Sequence, residues 1–216
     1  MGKSEQTRAR ILAAALALFR TQGFEAATMR EIARQAGVAV GAAYYYFPSK
    51  DAIVLAFYEQ AQQEISPRIE EILGSGDDLK KRLAGLMTAK LEYFAASRRL
   101  LGALASHADP EDTLSPFGEA SRLVRERDTA FFARALDGSR ARVPEDLAGH
   151  LPGLLWMYQM GVILFWIYDK SPRQAKTQAL LEKSLEIVVA LIRLAGLPLM
   201  KPVRRVVVDL VETVTA

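Results

Sequence analysis

Apolar residues recur at helical spacing along almost the whole chain, and glycine, proline and clustered charges interrupt them. This pattern predicts about ten helices and no strand. The first helix is expected from about Ser4 to Gln22, with Gly23 as its end. Its apolar stripe consists of Ile11, Leu12, Ala15, Leu16, Leu18 and Phe19. The pattern therefore favours an all-α fold.

Residues 28–50 contain two short helices separated by a tight turn. Thr28 stands at an N-cap position with Glu31 three residues later, which is the sequence signature of a capping box. Gly37 ends the first of these helices, because glycine adopts a left-handed conformation without a side-chain penalty. The second helix is predicted from about Val40 to Phe47, where Pro48 prevents its continuation. Two helices joined in this way predict a helix-turn-helix, whose second helix fits a DNA major groove.

Three consecutive tyrosines lie in the second helix of this motif, Tyr44, Tyr45 and Tyr46. Neighbouring helical residues project about 100° apart, so all three cannot point into the core. We expect Tyr44 and Tyr45 to face DNA, where phenols donate hydrogen bonds to phosphate oxygens, and Tyr46 to be partly internal.

The remaining helices are less distinctive, and one of them is ambiguous. They are predicted at about 49–73, with a kink at Pro67, and at about 77–96, 98–107, 117–136, 151–168 and 172–194. The segment Leu151–Tyr168 has no charged residue over 18 positions, which reaches the lower limit for a membrane span. Pro152, Gly153 and Gly161 argue against a span, and we expect a buried helix that packs on its own core and on a partner subunit. A short terminal helix is predicted after Pro198.

Composition and charge narrow the class of protein. The 216 residues are 50% hydrophobic and 25% charged, and cysteine is absent, which excludes disulfides, thiolate metal sites and cysteine nucleophiles. Residues 1–50 hold seven basic and three acidic side chains, although the net charge of the whole chain is only +3. A basic N-terminal segment suits a nucleic-acid-binding module. The N-terminus lacks the pattern of a signal peptide, and a cytoplasmic protein is expected.

The motif residues resemble those of the tetracycline-repressor (TetR) family of bacterial transcription regulators. The resemblance extends over about residues 7–57. It is carried by Thr28, Ile32 and Ala33, Ala36 to Val38, Gly41, Tyr44, Tyr46 and Phe47, Ser49 and Lys50, together with Ile11, Ala14, Phe19 and Gly23-Phe24 upstream. It implies a DNA-binding domain at 1–50 and a helical effector-binding and dimerisation domain at 51–216. It also implies a homodimer, formed mainly by the two apolar C-terminal helices, on double-stranded operator DNA.

The resemblance places the DNA contacts on ten residues. These are Thr28, Arg30, Ala39, Val40, Gly41, Ala42, Tyr44, Tyr45, Tyr46 and Lys50. Thr28 and Lys50 are expected at phosphates, and Arg30 at a base or a phosphate. Ala39 departs from the serine or threonine common in the family, and this recognition helix has no Arg, Asn or Gln to read a base edge bidentately. We therefore expect base recognition through thymine methyl groups, tyrosine hydroxyls and Arg30.

Bulky apolar residues in the middle helices suggest a pocket for a small, largely hydrophobic effector. The candidates are Phe57, Tyr58, Met87, Tyr93, Phe94, Phe131, Trp156 and Tyr158. Two other classes remain open. One is an architectural DNA-binding dimer with a solid second domain and no ligand, and the other is a helical protein anchored by Leu151–Tyr168.

Catalysis, a metal site and a cofactor are not expected. The two histidines, His107 and His150, are far apart in the sequence and lack further ligands at metal-binding spacing. The glycines of residues 37–43 do not follow a strand and lack the nucleotide-binding pattern.

Overall fold

A computed structural model describes residues 2–215, and these form eleven α-helices without a strand. The helices are α1 Lys3–Thr21, α2 Met29–Ala36, α3 Val40–Tyr46, α4 Lys50–Gly74, α5 Leu79–Phe94, α6 Arg98–Leu104, α7 Arg122–Asp137, α8 Glu145–Ala148, α9 Leu151–Tyr168, α10 Ala175–Ala195 and α11 Lys201–Thr215. The all-α prediction is confirmed. The one helix that the apolar pattern missed is α8, because four residues are too few to show a period.

The ends of α2 follow the predicted local chemistry. The hydroxyl of Thr28 accepts a hydrogen bond from the Glu31 amide, and a Glu31 carboxylate oxygen accepts one from the Thr28 amide. Gly37 has φ 64°, the left-handed conformation expected after a helix. α3 begins at Ala39, which has no side-chain acceptor to offer its first turn.

Helix α4 begins after Ser49, whose hydroxyl accepts a hydrogen bond from the Ala52 amide. It continues to Gly74 with Pro67 inside it. The expected break near Pro67 therefore does not interrupt the helix. Gly76, with φ 156°, lies in the turn that leads to α5.

The chain divides into two compact units. The first contains Met1–Glu64 and Tyr93–Arg125, and the second contains Ile65–Glu92 and Glu126–Ala216. In the first unit α1 packs on α2 and α6, and α2 packs on α3. The core of this three-helix arrangement includes Ile11, Ala15, Phe19, Ile32 and Ala43, none of which is exposed to solvent.

In the second unit α9 packs on α8 and α10. The Tyr158 hydroxyl of α9 lies 2.5 Å from the Ser184 hydroxyl of α10. Asp169, just after α9, accepts hydrogen bonds from the Ser171 and Thr177 amides and from the Thr177 hydroxyl. These hydrogen bonds, that of Ser171 first, hold the pKa of Asp169 far below its ordinary value. The carboxylate therefore fixes the start of α10.

Helix α9 is also the one described helix that is long and apolar enough to cross a membrane by length and composition. One third of its residues are buried within the chain. The buried residues are Leu151, Leu155, Trp156, Gln159, Val162 and Trp166. The helix is thus covered on one side, and its expected second cover would have to come from outside this chain.

The predicted terminal helix is present as α11, which packs on α8. Arg204 anchors it, because its guanidinium group donates to the Asp146 carboxylate and to the Ala195 carbonyl oxygen. The opposite side of the helix remains apolar and exposed, with Val203, Val206 and Leu210 among its residues.

Candidate nucleic-acid and effector sites

The tyrosines of α3 are placed as the helical geometry predicts. Tyr44 is 51% exposed and Tyr45 is 82% exposed, while Tyr46 is half-buried. The Tyr46 hydroxyl lies 3.2 Å from the Ser4 hydroxyl of α1. Two phenols are therefore presented to solvent, and the third helps to hold α3 against α1.

The rest of the α3 surface is small and apolar. Ala39, Val40 and Gly41 are exposed, Ala42 is half-exposed, and Ala43 between them and the tyrosines is buried. A helix with this surface can approach a base edge closely, and its apolar groups suit thymine methyls. Arg30, in the first turn of α2, is exposed as well.

Thr28 is more constrained than the sequence indicates. Its hydroxyl donates to the Glu31 carboxylate at 2.8 Å, and its amide donates to the same oxygen at 2.9 Å. The hydrogen bonds from Thr28, with that of the hydroxyl largest, lower the pKa of Glu31. Both donors that Thr28 was expected to offer to phosphate are thus engaged within the capping box.

Lys50 is also held by the protein itself. Its Nζ donates to the Phe24 carbonyl oxygen at 2.7 Å and to the Glu25 carbonyl oxygen at 3.2 Å. The same atom lies 4.5 Å from the centroid of the Phe24 ring, a cation–π distance. An ammonium group has three donors, so one remains for a phosphate.

Two arginines that the sequence did not single out support the motif. Arg10 of α1 donates to the Ala36 carbonyl oxygen at 3.0 Å and so caps the end of α2. The Arg8 guanidinium lies 4.9 Å from the centroid of the Phe47 ring, just after α3. These contacts join residues more than 25 positions apart, so no local pattern could have shown them. Part of the basic charge of the N-terminal segment therefore holds the three helices together.

Four of the eight predicted effector residues form one cluster in the first unit. The Phe57 and Phe94 rings are 5.6 Å apart, and Tyr58 and Tyr93 lie 6.0 and 5.2 Å from Phe57 and Phe94 respectively. Burial raises the pKa of Tyr58. Burial also raises the pKa of Tyr93, whose hydroxyl donates to the Glu64 carboxylate. These residues make an aromatic cluster with phenol groups at its edge.

The other four predicted residues belong to the second unit. Met87 and Trp156 are buried, and Phe131 and Tyr158 are half-buried. Burial raises the pKa of Tyr158, although its hydrogen bond to Ser184 acts in the opposite direction. The second unit also has a polar cleft of about 430 Å³ that contains none of the eight. It is lined by Asp77, Asp78, Leu79, Arg140, Ala141, Arg142 and Arg193.

Groups of three or more histidine, aspartate or glutamate side chains that could hold a metal do not occur among residues 2–215. His107 pairs with Asp112 at 2.6 Å in the first unit, and His150 lies 3.7 Å from Glu212 in the second. Neither histidine contacts an exposed tyrosine of α3.

Comparison with known families matches nearly the whole chain. The sequence profile described as bacterial regulatory proteins, tetR family, matches residues 11–57. A second profile, described as tetracyclin repressor-like, C-terminal domain, matches residues 82–213. The first contains α2, α3 and the exposed tyrosines, and the second contains α9 and α10.

Two repressors with sequence similarity are informative. The HTH-type transcriptional repressor KstR of Mycolicibacterium smegmatis is 28% identical over 162 residues, which are 75% of this chain and 77% of that protein. The HTH-type transcriptional repressor KstR2 of Rhodococcus jostii is 34% identical over 96 residues, 44% of this chain and 47% of that protein.

Solved structures share the fold. The TetR transcriptional regulator from Nitrosomonas europaea superposes with a TM-score of 0.66 at 18% identity, over 83% of this chain and 96% of that one. Thermus thermophilus FadR, a repressor solved in complex with lauroyl-CoA, superposes with a TM-score of 0.57 at 23% identity, over 88% and 94% of the two chains.

Proposed function

Because the chain belongs to the TetR family of DNA-binding transcription regulators, we propose that it is a cytoplasmic homodimeric repressor. In this proposal residues 1–50 bind a partly palindromic operator, and residues 51–216 provide dimerisation and the effector site. A small, largely hydrophobic effector releases the repressor from DNA. The observation that carries the proposal is the pair of exposed phenols on α3, held on a packed three-helix core.

The DNA contacts divide into two kinds. Tyr44, Tyr45 and the remaining donor of Lys50 contact phosphates, which position the protein without reading sequence. The small groups of Ala39 to Ala42 contact base edges, and Arg30 contacts a guanine. Since α3 lacks an amide or guanidinium group of its own, Arg30 is the main source of base discrimination.

The dimer forms through α9 and α10. Met157, Leu164 and Tyr168 of α9 are 57%, 49% and 65% exposed, and with Gly161 they form one stripe at helical spacing. Ile187, Leu191 and Leu194 form a second exposed stripe on α10. Monomers rarely leave contiguous apolar surface of this kind in water. Two helices from each subunit would make a four-helix interface, and Gly161 would allow close approach.

The effector is assigned as hydrophobic because the candidate residues in both units are aromatic or aliphatic. The FadR structure contains lauroyl-CoA, which has a long apolar chain. A ligand of that general character fits residues such as Phe57, Phe94, Met87 and Trp156. Release follows if the effector binds better to the form of the protein that binds DNA worse.

The test of DNA binding combines operator selection with two substitutions. A random duplex library yields the operator, and fluorescence anisotropy then measures affinity. Tyr45→Phe removes one exposed hydroxyl and should weaken operator binding about fivefold, since a hydrogen bond to a charged group contributes about 1.5 kcal/mol or less at an exposed site. Tyr168→Phe makes the same change on α9 and should leave affinity unchanged.

Arg30→Ala tests base recognition in the same assay. If Arg30 contacts a guanine, the variant loses about 1–3 kcal/mol and its preference at one operator position relaxes. Failure of the wild-type protein to enrich any duplex would contradict the proposed function as a whole. Unchanged affinity and specificity in Arg30→Ala would reject the role of that arginine alone.

A further inference from the structure

Three helices of the second unit each bury a polar side chain in an otherwise apolar stripe. Lys90 of α5, Asp128 of α7 and Gln159 of α9 are 8%, 6% and 3% exposed. Their neighbours at helical spacing are Leu83, Leu86 and Met87 on α5, Phe132 and Ala135 on α7, and Leu155 and Val162 on α9. Polar groups at such positions are unfavourable unless they are paired.

Two of the three satisfy each other. Lys90 donates to the Asp128 carboxylate in an ion pair whose side chains are both about nine-tenths buried. Charge on each side is thereby compensated, as buried ions require.

Gln159 differs from this pair. Its Nε2 is buried and finds no hydrogen-bond partner among the described residues. Buried amide nitrogens almost always have an acceptor, and one that lacks it is an exception with a specific cause. The amide has two N–H donors in a position that solvent does not reach.

The surroundings of Gln159 indicate what the acceptor is. Leu155, Val162 and Trp166 lie four positions before, three after and seven after it, and all are buried. An internal water is stable only with two to four polar partners, which an apolar stripe does not supply. An oxygen atom carried by an apolar molecule satisfies the amide while the rest of that molecule contacts the aliphatic and indole groups.

We infer that Gln159 is the polar anchor of the effector site and donates a hydrogen bond to a carbonyl or carboxylate oxygen of an otherwise apolar effector. This rests on the proposed effector binding and specifies the chemical class of the ligand. Pure hydrocarbons lack the acceptor and bind more weakly than oxygenated molecules of the same shape. The inference concerns Gln159 alone and leaves the roles of the aromatic residues as proposed.

Intrinsic fluorescence reports directly on this position. The chain has two tryptophans, Trp156 and Trp166, both buried in α9 and close in sequence to Gln159. Titration with dodecane, with its methyl-ketone counterpart and with dodecanoate should quench or shift this emission. The better of the two oxygenated probes should bind about tenfold more tightly than dodecane. Comparison of the ketone with dodecanoate identifies which oxygen class is preferred.

Gln159→Leu removes the donor and keeps the side-chain size. It should abolish the preference for oxygenated probes while dodecane binds as well as before, and it should raise the melting temperature of the free protein. Gln178→Leu, at an exposed position of α10, is the matched control and should keep the preference. Equal binding of all three probes to the wild type would overturn the inference. So would an unchanged preference in Gln159→Leu, or the absence of a response to any oxygenated probe at its solubility limit.

DNA release, measured by anisotropy on the operator complex, separates this inference from the proposed function. An oxygenated probe that binds through Gln159 but leaves the complex intact would refute effector release and support the anchor. An effector that releases wild type and Gln159→Leu at the same concentration would refute the anchor and support release.

Discussion

At the scale of single residues, Lys50 has two tasks that the sequence could not separate. Its position after Pro48 and Ser49 suggests a phosphate contact, and the structure adds two main-chain acceptors in the loop before α2. These hydrogen bonds join the start of α4 to the end of α1, because Phe24 packs on Phe19 with ring centroids 5.2 Å apart. Lys50 therefore stabilises the DNA-binding helices whether or not DNA is present.

Replacing Lys50 by alanine should lower both stability and DNA affinity. Loss of the two carbonyl contacts and the cation–π contact should reduce the free energy of unfolding by about 1–2 kcal/mol in urea denaturation. The plot of log affinity against log salt should become shallower by about one unit per site for all sequences alike. Lys3→Ala, at an exposed position of α1, is the control for stability. An unfolding free energy equal to that of the wild type would show that the loop contacts contribute nothing.

At the scale of elements, α2 depends on a single carboxylate at its first turn. Glu31 binds the amide and hydroxyl of Thr28 and also accepts from Gln22 at 3.3 Å. These bonds favour the ionised form, so the folded pKa of Glu31 lies below the unfolded value, which is about 4.3. A lowered folded pKa contributes stability above the unfolded pKa, and that contribution is lost as the pH falls through the folded pKa.

Glu31→Gln should therefore destabilise the protein near neutral pH and much less in acid. The difference in melting temperature between wild type and variant should narrow as the pH falls from about 6 to about 3. Glu25→Gln changes an exposed carboxylate in the preceding loop and provides the control. A difference that stays constant over this range would mean that the charge of Glu31 is irrelevant to the cap.

Sequence reasoning succeeded for elements whose ends have local signals. The capping box and Gly37 defined α2, Pro48 ended α3, and the uncharged run of residues 151–168 matched α9 at both ends. It was less accurate between 110 and 121, where the seventh helix was expected to start at about Phe117 and α7 begins at Arg122. Ser115 and Ser121 stabilise a turn there through hydrogen bonds to main-chain groups, and serine-rich turns compete with a helical start.

At the scale of the whole molecule, the exposed stripes of α9 and α10 predict the oligomeric state. Leu164→Glu places a charge in the proposed interface and should weaken dimerisation by about 2 kcal/mol or more, which is about thirtyfold. Sedimentation velocity at micromolar concentration should show a dimer for the wild type and a monomer fraction for the variant. Leu123→Glu, at a 58% exposed leucine of α7, should leave the dimer intact. A monomeric wild type would refute the interface.

Effector and DNA should weaken each other's binding. Helix α4 begins at Lys50 and carries Phe57 and Tyr58 about 10 Å farther along, so one rigid element links a DNA contact to the aromatic cluster. Recognition helices of a dimer dock about 34–36 Å apart, and a shift of α4 in each subunit would change that spacing. The expected coupling is about 1–3 kcal/mol, and it must be reciprocal.

Titration of the effector with and without operator DNA measures this coupling. Operator DNA should lower effector affinity by the same factor by which the effector lowers DNA affinity, about 5–150-fold. Equal effector affinities in the two titrations would exclude the link through α4. They would also favour the architectural dimer, in which the second domain serves dimerisation alone.

The sequence by itself determined the helical fold, the helix-turn-helix and the family, because these depend on periodicity, caps and spacing within short segments. It also indicated that Tyr44 and Tyr45 would be exposed, since three adjacent helical positions cannot share one buried side. Only the tertiary structure decided that Lys50 binds the loop before α2, that Tyr46 meets Ser4, and which side of α9 is covered. It alone placed the Gln159 amide in an apolar interior without an acceptor. Those features arise from contacts between residues distant in the chain, and a local pattern contains no record of which distant side chain will lie opposite.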